Sequence, residues 1–213
     1  MKYLMVLLLA MPFTTFAQDP ARFDQEVEKI HAVYPPSEHQ GSVVFTGSSS
    51  VKLWDDLARD FPDHQVVNAG FGGSHATDLL HFVDELVMAY EPSKVFIYEG
   101  DNDLSSGKSL QEIRETINLI VTQIKLDLPE TDIYLISPKP SIARWDKADR
   151  YEALNKQLQT YANATEGVIF VNVWDDMLGQ DGKPMNDIFL EDDLHMNKKG
   201  YEIWSKVIGK YMD

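Results

Sequence analysis

Five short runs of largely uninterrupted apolar residues, with helix-forming segments between and after them, constrain this chain more than any other feature. They occupy residues 42–46, 65–68, 94–98, 132–136 and 168–171, and are rich in Val, Ile, Phe and Tyr. A strand with one wet face alternates apolar and polar residues, whereas a strand covered on both faces does not. Helical segments are expected at 21–33, 51–57, 76–88, 110–128, 147–161 and 198–211. In the first, Phe23, Val27 and Ile30 share a face and Pro35-Pro36 stops the helix. Strands alternating with helices indicate a parallel sheet, because parallel neighbours need a crossover long enough to hold a helix.

The expected fold is therefore α/β: a three-layer, flavodoxin-like domain around a five-stranded parallel sheet. No internal repeat or linker divides it, so residues 18–213 form one domain. Residues 1–17 read differently. Met1-Lys2 opens a run that is almost wholly apolar from Tyr3 to Phe13, and Thr15 and Ala17 are the small residues needed before a cleavage point. This is the pattern of a secretory signal peptide, and the run falls short of the ~20 apolar residues that span a bilayer. The expectation is an exported protein, periplasmic or secreted, without a stable membrane anchor.

Acidic residues outnumber basic ones 34 to 19, for a formal charge of −15. Such a surface repels phosphate backbones, and no basic cluster offsets it, so nucleic acid is not an expected partner. The absence of cysteine excludes disulfides, thiolate metal sites and thiol nucleophiles. The acidic group Asp187, Glu191, Asp192 and Asp193 lacks the spacing of a calcium loop, so neither metal nor cofactor is expected. Chemistry is left to Ser, His, carboxylates and backbone groups.

In open parallel sheets ligands bind at the carboxyl ends of the strands, so the loops there carry the functional reading. The first is Gly47-Ser48-Ser49-Ser50, which taken alone could simply cap a helix. The second, Asn68-Ala69-Gly70-Phe71-Gly72-Gly73-Ser74, is either a turn or a place where backbone N–H groups approach a ligand. The third is Glu99-Gly100-Asp101-Asn102-Asp103, and near the C-terminus Asp192 stands three residues before His195. A carboxylate at that spacing either orients the imidazole or forms a surface ion pair.

Taken in order, these four blocks resemble those of the SGNH (GDSL-type) esterase and lipase family, over roughly residues 43–201. The phrasings Gly-Phe-Gly-Gly-Ser and Gly-Asp-Asn-Asp-Leu are most similar to the small esterases that resemble platelet-activating-factor acetylhydrolase. The resemblance implies Ser49 as nucleophile, His195 as general base and Asp192 as its orienting acid. It also implies an oxyanion hole from the backbone N–H groups of Ser49 and Gly73 and the side-chain amide of Asn102. Ser48 departs from the pattern, standing where the family's name-giving aspartate would be, and Asp193 replaces a usual glycine. No Gly-x-Ser-x-Gly elbow occurs, which separates the chain from α/β-hydrolases.

The implied activity is hydrolysis of carboxylic esters through an acyl-enzyme, on a small-molecule or carbohydrate ester. Short loops without a lid-like insertion favour short acyl groups, acetyl above all. O-acetyl carbohydrate and lysophospholipid substrates are the alternatives within the family, and a flavodoxin-like cofactor-binding protein is the alternative outside it. His75, Arg144 and Trp145 lie in loops expected at the same sheet edge and are candidates for a substrate pocket. His31, His39, His64 and His81 have no partner pattern and read as surface or packing residues.

Overall fold

A computed structural model describes residues 19–213. The proposed signal peptide lies outside the described residues. Five parallel strands run Val43–Gly47 (β1), Val66–Gly70 (β2), Lys94–Tyr98 (β3), Asp132–Ile136 (β4) and Val168–Val171 (β5). Their order across the sheet is β2-β1-β3-β4-β5. Around them lie helices Asp24–Val33 (α1), Ser49–Lys52 (α2), Leu57–Asp60 (α3), Ala76–His81 (α4), Val83–Leu86 (α5), Asp101–Ser105 (α6), Leu110–Asp127 (α7), Ala148–Asn163 (α8) and Lys198–Ile208 (α9).

The two faces of the sheet explain why the strands read as solid apolar runs. Successive side chains point to opposite faces. Val44, Val67, Val95, Ile97, Ile133 and Leu135 enter one core with residues of α1, α4, α7 and α8. Val43, Phe45, Phe96, Tyr98, Tyr134 and Ile136 enter the other, with Trp54, Leu57 and Trp204. The parallel register puts Phe45 beside Phe96 and Phe96 beside Tyr134. Their rings stack with centroids 4.6 and 4.4 Å apart, an aromatic ladder across the middle of the sheet.

Two expected helices are interrupted. The segment 51–57 does not form one helix: α2 begins earlier, at Ser49, and ends at Lys52, and α3 starts only at Leu57. Asn68 on β2 donates its amide to the carbonyls of Val51 (2.9 Å) and Trp54 (3.4 Å), oxygens that a continuous helix would use itself. The segment 76–88 breaks at Phe82 between α4 and α5. Phe82, Val83, Leu86 and Val87 are all buried there. The loop expected at residues 99–103 passes into the short helix α6 from Asp101 onward.

Candidate active site

The carboxyl ends of β1, β2 and β3 adjoin in space, and close backbone approach makes that possible. Gly47 ends β1 at φ +122°, and a side chain there would overlap the Tyr98 carbonyl oxygen. The Ser48 N–H donates to that same carbonyl (3.1 Å), and the Phe71 N–H donates to the Gly47 carbonyl (2.8 Å), tying the three loops together. The chain then turns directly into α2, which places Ser49 at its first residue.

Opposite Ser49 lies the loop that follows Phe189. It is closed by an antiparallel bridge between Phe189 and Met196, by Leu190 N–H donating to the His195 carbonyl (2.8 Å), and by Asn197 N–H donating to the Ile188 carbonyl (3.0 Å). Asp193 sits inside it with φ +57°, a left-handed conformation that Asp adopts more readily than most residues other than Gly and Asn. That turn lets both Asp192 oxygens face His195. Oδ1 accepts the N–H groups of Leu194 (3.0 Å) and His195 (2.9 Å), and Oδ2 lies 2.5 Å from His195 Nδ1. The far ring nitrogen, Nε2, is 2.9 Å from Ser49 Oγ.

The protonation pattern follows from these contacts. Burial acts to raise the Asp192 pKa, but the hydrogen bonds from His195 and Leu194 outweigh it and hold the carboxyl at about 2. An ionised carboxylate only accepts, so His195 Nδ1 carries the hydrogen, and in the neutral imidazole Nε2 faces Ser49 as the acceptor. Such a chain can draw a proton from a serine hydroxyl, which is otherwise a poor nucleophile at neutral pH.

Gly73 and Asn102 border the same space. Gly73 is exposed, with φ +81° and open space where a side chain would stand. Asn102, on α6, donates its amide to Ser48 Oγ (3.1 Å) and to the Ser74 carbonyl (3.0 Å). Ser48, the residue that departs from the family pattern, is thus buried and joined to Asn102. Of the candidate pocket residues, His75 is buried at the start of α4, where its N–H donates to Asp78 Oδ2 (2.8 Å). Trp145 stacks on Trp174 at 5.9 Å, and Arg144 reaches behind Asn102. A surface cavity of about 430 Å³ is lined in part by Leu53, Trp54, Leu190, Met196 and Tyr201. No group of three or more His, Cys, Asp or Glu is placed to hold a metal ion among the described residues.

A family model described as GDSL-like lipase/acylhydrolase matches residues 38–203. The chain belongs to that family. As a GDSL-like acylhydrolase it is an ester hydrolase on the SGNH fold. A structure from Streptococcus pneumonia, provisionally described as a platelet activating factor, is 26% identical, with a TM-score of 0.79 over 90% of this chain and 95% of that one. A GDSL-like lipase from Bacteroides thetaiotaomicron superimposes with a TM-score of 0.73 at 22% identity, covering 91% and 98% of the two chains. A carbohydrate esterase family 3 structure from Talaromyces cellulolyticus shares the fold at 16% identity and TM-score 0.63, covering 80% of this chain and 95% of that one. A search of curated proteins returns no match.

Behind the acylhydrolase site are buried ionisable groups that sequence reasoning missed. Asp101 accepts from the hydroxyls of Tyr98 and Tyr151 (2.7 Å each) and from Arg144 (2.5 Å), and lies 3.6 Å from the buried Lys139 ammonium. Burial would raise its pKa, but Lys139, Arg144 and the tyrosines hold it at about 2. Glu99, two residues earlier, is the opposite case. Its Oε1 accepts the Ser74 hydroxyl (2.5 Å) and its Oε2 has no partner, so burial and the nearby Asp103 push its pKa well above the usual carboxylate range. Burial thus pushes Glu99 toward the neutral form while its partners hold Asp101 charged, although they stand two positions apart. Little in the primary structure separates them, because Ser74, Lys139, Arg144 and Tyr151, which set them apart, lie 25 or more positions away.

Proposed function

We propose that the protein is an exported serine esterase that removes short acyl groups, acetyl first, through an acyl-enzyme on Ser49. The observation that carries this reading is the unbroken chain from Ser49 Oγ to His195 Nε2 (2.9 Å) and from His195 Nδ1 to Asp192 (2.5 Å). Ser49 Oγ attacks the ester carbonyl carbon as His195 Nε2 takes the hydroxyl proton, and the carbonyl electron pair moves onto oxygen. Asp192 stabilises the imidazolium. The ester C–O bond then breaks, and His195 returns the proton to the leaving alcohol. Water repeats the sequence on the acyl-serine and releases the acid.

The oxyanion would lie against the N–H groups of Ser49 and Gly73 and the Asn102 amide. In the resting site one Asn102 N–H rests on the neutral Ser48 hydroxyl. A charged oxygen is the stronger acceptor, so the exchange is favourable once the intermediate forms. The natural substrate is a small-molecule or carbohydrate ester, and export follows from the N-terminal pattern described above. Two-, four-, eight- and sixteen-carbon chromogenic esters, with acetylated polysaccharides alongside, test the reading. Wild type should turn over acetyl and butyryl esters fastest, Ser49→Ala should lose hydrolysis while remaining folded, and Ser50→Ala should retain it. Faster hydrolysis of the sixteen-carbon ester would overturn the acyl preference, and an active Ser49→Ala would overturn the mechanism.

A further inference from the structure

Arg144 is placed to act on Asn102. Its guanidinium donates one N–H to Asp101 Oδ1 (2.5 Å) and another to the Asn102 side-chain oxygen (3.1 Å), and its side chain is only 16% exposed. Asp101 is in turn fixed by two tyrosine hydroxyls, so the fork of Arg144 is held from behind. A planar guanidinium bridging two neighbouring acceptors in this way has little freedom left.

We propose that Arg144 is a positioning residue for the oxyanion hole, acting through Asn102. The inference rests on the reading of Asn102 as an oxyanion donor. An amide has an accepting end and a donating end, and a cation bound at the oxygen commits the NH₂ end to face the opposite way, toward Ser48 and Ser74. The Ser74 carbonyl selects the same orientation from the other side, so the amide is held at both ends. Withdrawal of electron density by the guanidinium also makes the N–H groups better donors, because hydrogen bonds in a chain polarise one another. Arg144 comes from the loop after β4, and this contact joins that loop to the reacting centre although no atom of Arg144 needs to meet the substrate.

The test is a double-mutant cycle between Arg144 and Asn102, read as kcat and KM for an acetyl ester. Asn102→Ala should lower kcat about 10²–10³-fold, the usual cost of one oxyanion donor. Arg144→Met should lower kcat about tenfold or more in the wild-type background with KM within threefold, and should cost under threefold when Asn102 is already Ala, as expected for residues acting as a unit. Arg144→Lys, which keeps the charge and loses the fork, should fall between, and added guanidinium at low concentration should restore part of the turnover of Arg144→Ala. If Arg144→Met destabilises the fold, the cycle is run with Arg144→Lys in its place, which keeps a cation beside Asp101, with thermal melts to confirm folding. Additive losses, or an effect confined to KM, would overturn the proposal, because Arg144 would then act independently or touch substrate directly. A silent Asn102→Ala would instead overturn the oxyanion reading on which it rests.

Discussion

Glu99→Gln is expected to stabilise the protein, and to do so more strongly as pH rises. Glu99 is 2% exposed, one oxygen has no partner, and its raised pKa keeps it protonated in the folded state above its ordinary value of 4.5. In the unfolded chain the same carboxyl ionises above that value. Between these limits the folded state binds one more proton than the unfolded state, so stability falls with rising pH. The dependence is one proton: about tenfold in the folding constant per pH unit, which is between about 1 and 2 kcal/mol. Gln has the same shape and does not titrate, so the variant removes that slope and nothing else of comparable size. Urea unfolding of both proteins at pH 5.5 and 6.5 measures it, and every other titrating group cancels in the comparison. The gap between the two stabilities should widen by about that tenfold factor in favour of Glu99→Gln. A gap that stays constant, or that moves toward wild type at the higher pH, would mean that Glu99 is ionised in the folded protein and that the argument is wrong.

Asp101 has the opposite sign. Its depressed pKa of about 2 contributes stability that is present above the ordinary value of 3.8 and is lost as pH falls from there toward 2, so Asp101→Asn should flatten the acid limb of a stability curve. At neutral pH the same substitution leaves Arg144 and Lys139 without their buried counter-charge, and should cost about 3–5 kcal/mol by urea unfolding. At Asp193, whose φ is +57°, Asp193→Gly should keep esterase turnover while Asp193→Val, β-branched in a left-handed conformation, should lose most of it. Equal turnover in the two variants would show that the turn is not what aligns Asp192 with His195.

Much of the architecture was open to reading because both faces of the sheet are covered. The runs at 94–98, 132–136 and 168–171 have the same ends in the structure, since solid apolar segments bounded by Gly, Pro and charged residues leave little freedom in where a strand stops. The interrupted helices were not readable, because Asn68 on a distant strand diverts the carbonyls that would have continued the first. At the site, Ser49, Asp192 and His195 could be picked out because their blocks resemble those of the SGNH family, and the structure brings them within hydrogen-bonding distance. The Arg144 contact to Asn102 spans 42 positions and has no local signature. Glu99 and Asp101 look alike on paper, and only the tertiary surroundings shift their pKa values in opposite directions.

The loop closed by the Phe189–Met196 bridge carries both Asp192 and His195 between its two pinned ends. Any tilt or slide of that loop therefore carries carboxylate and imidazole together and leaves their mutual spacing intact. What such a motion alters is the 2.9 Å gap to Ser49, which belongs to a different segment of chain. The device behaves like a plug and socket: carboxylate and imidazole are preassembled on one half, and the hydroxyl they engage stands on the other. Exchange of the whole plug between relatives then becomes a question of docking geometry alone.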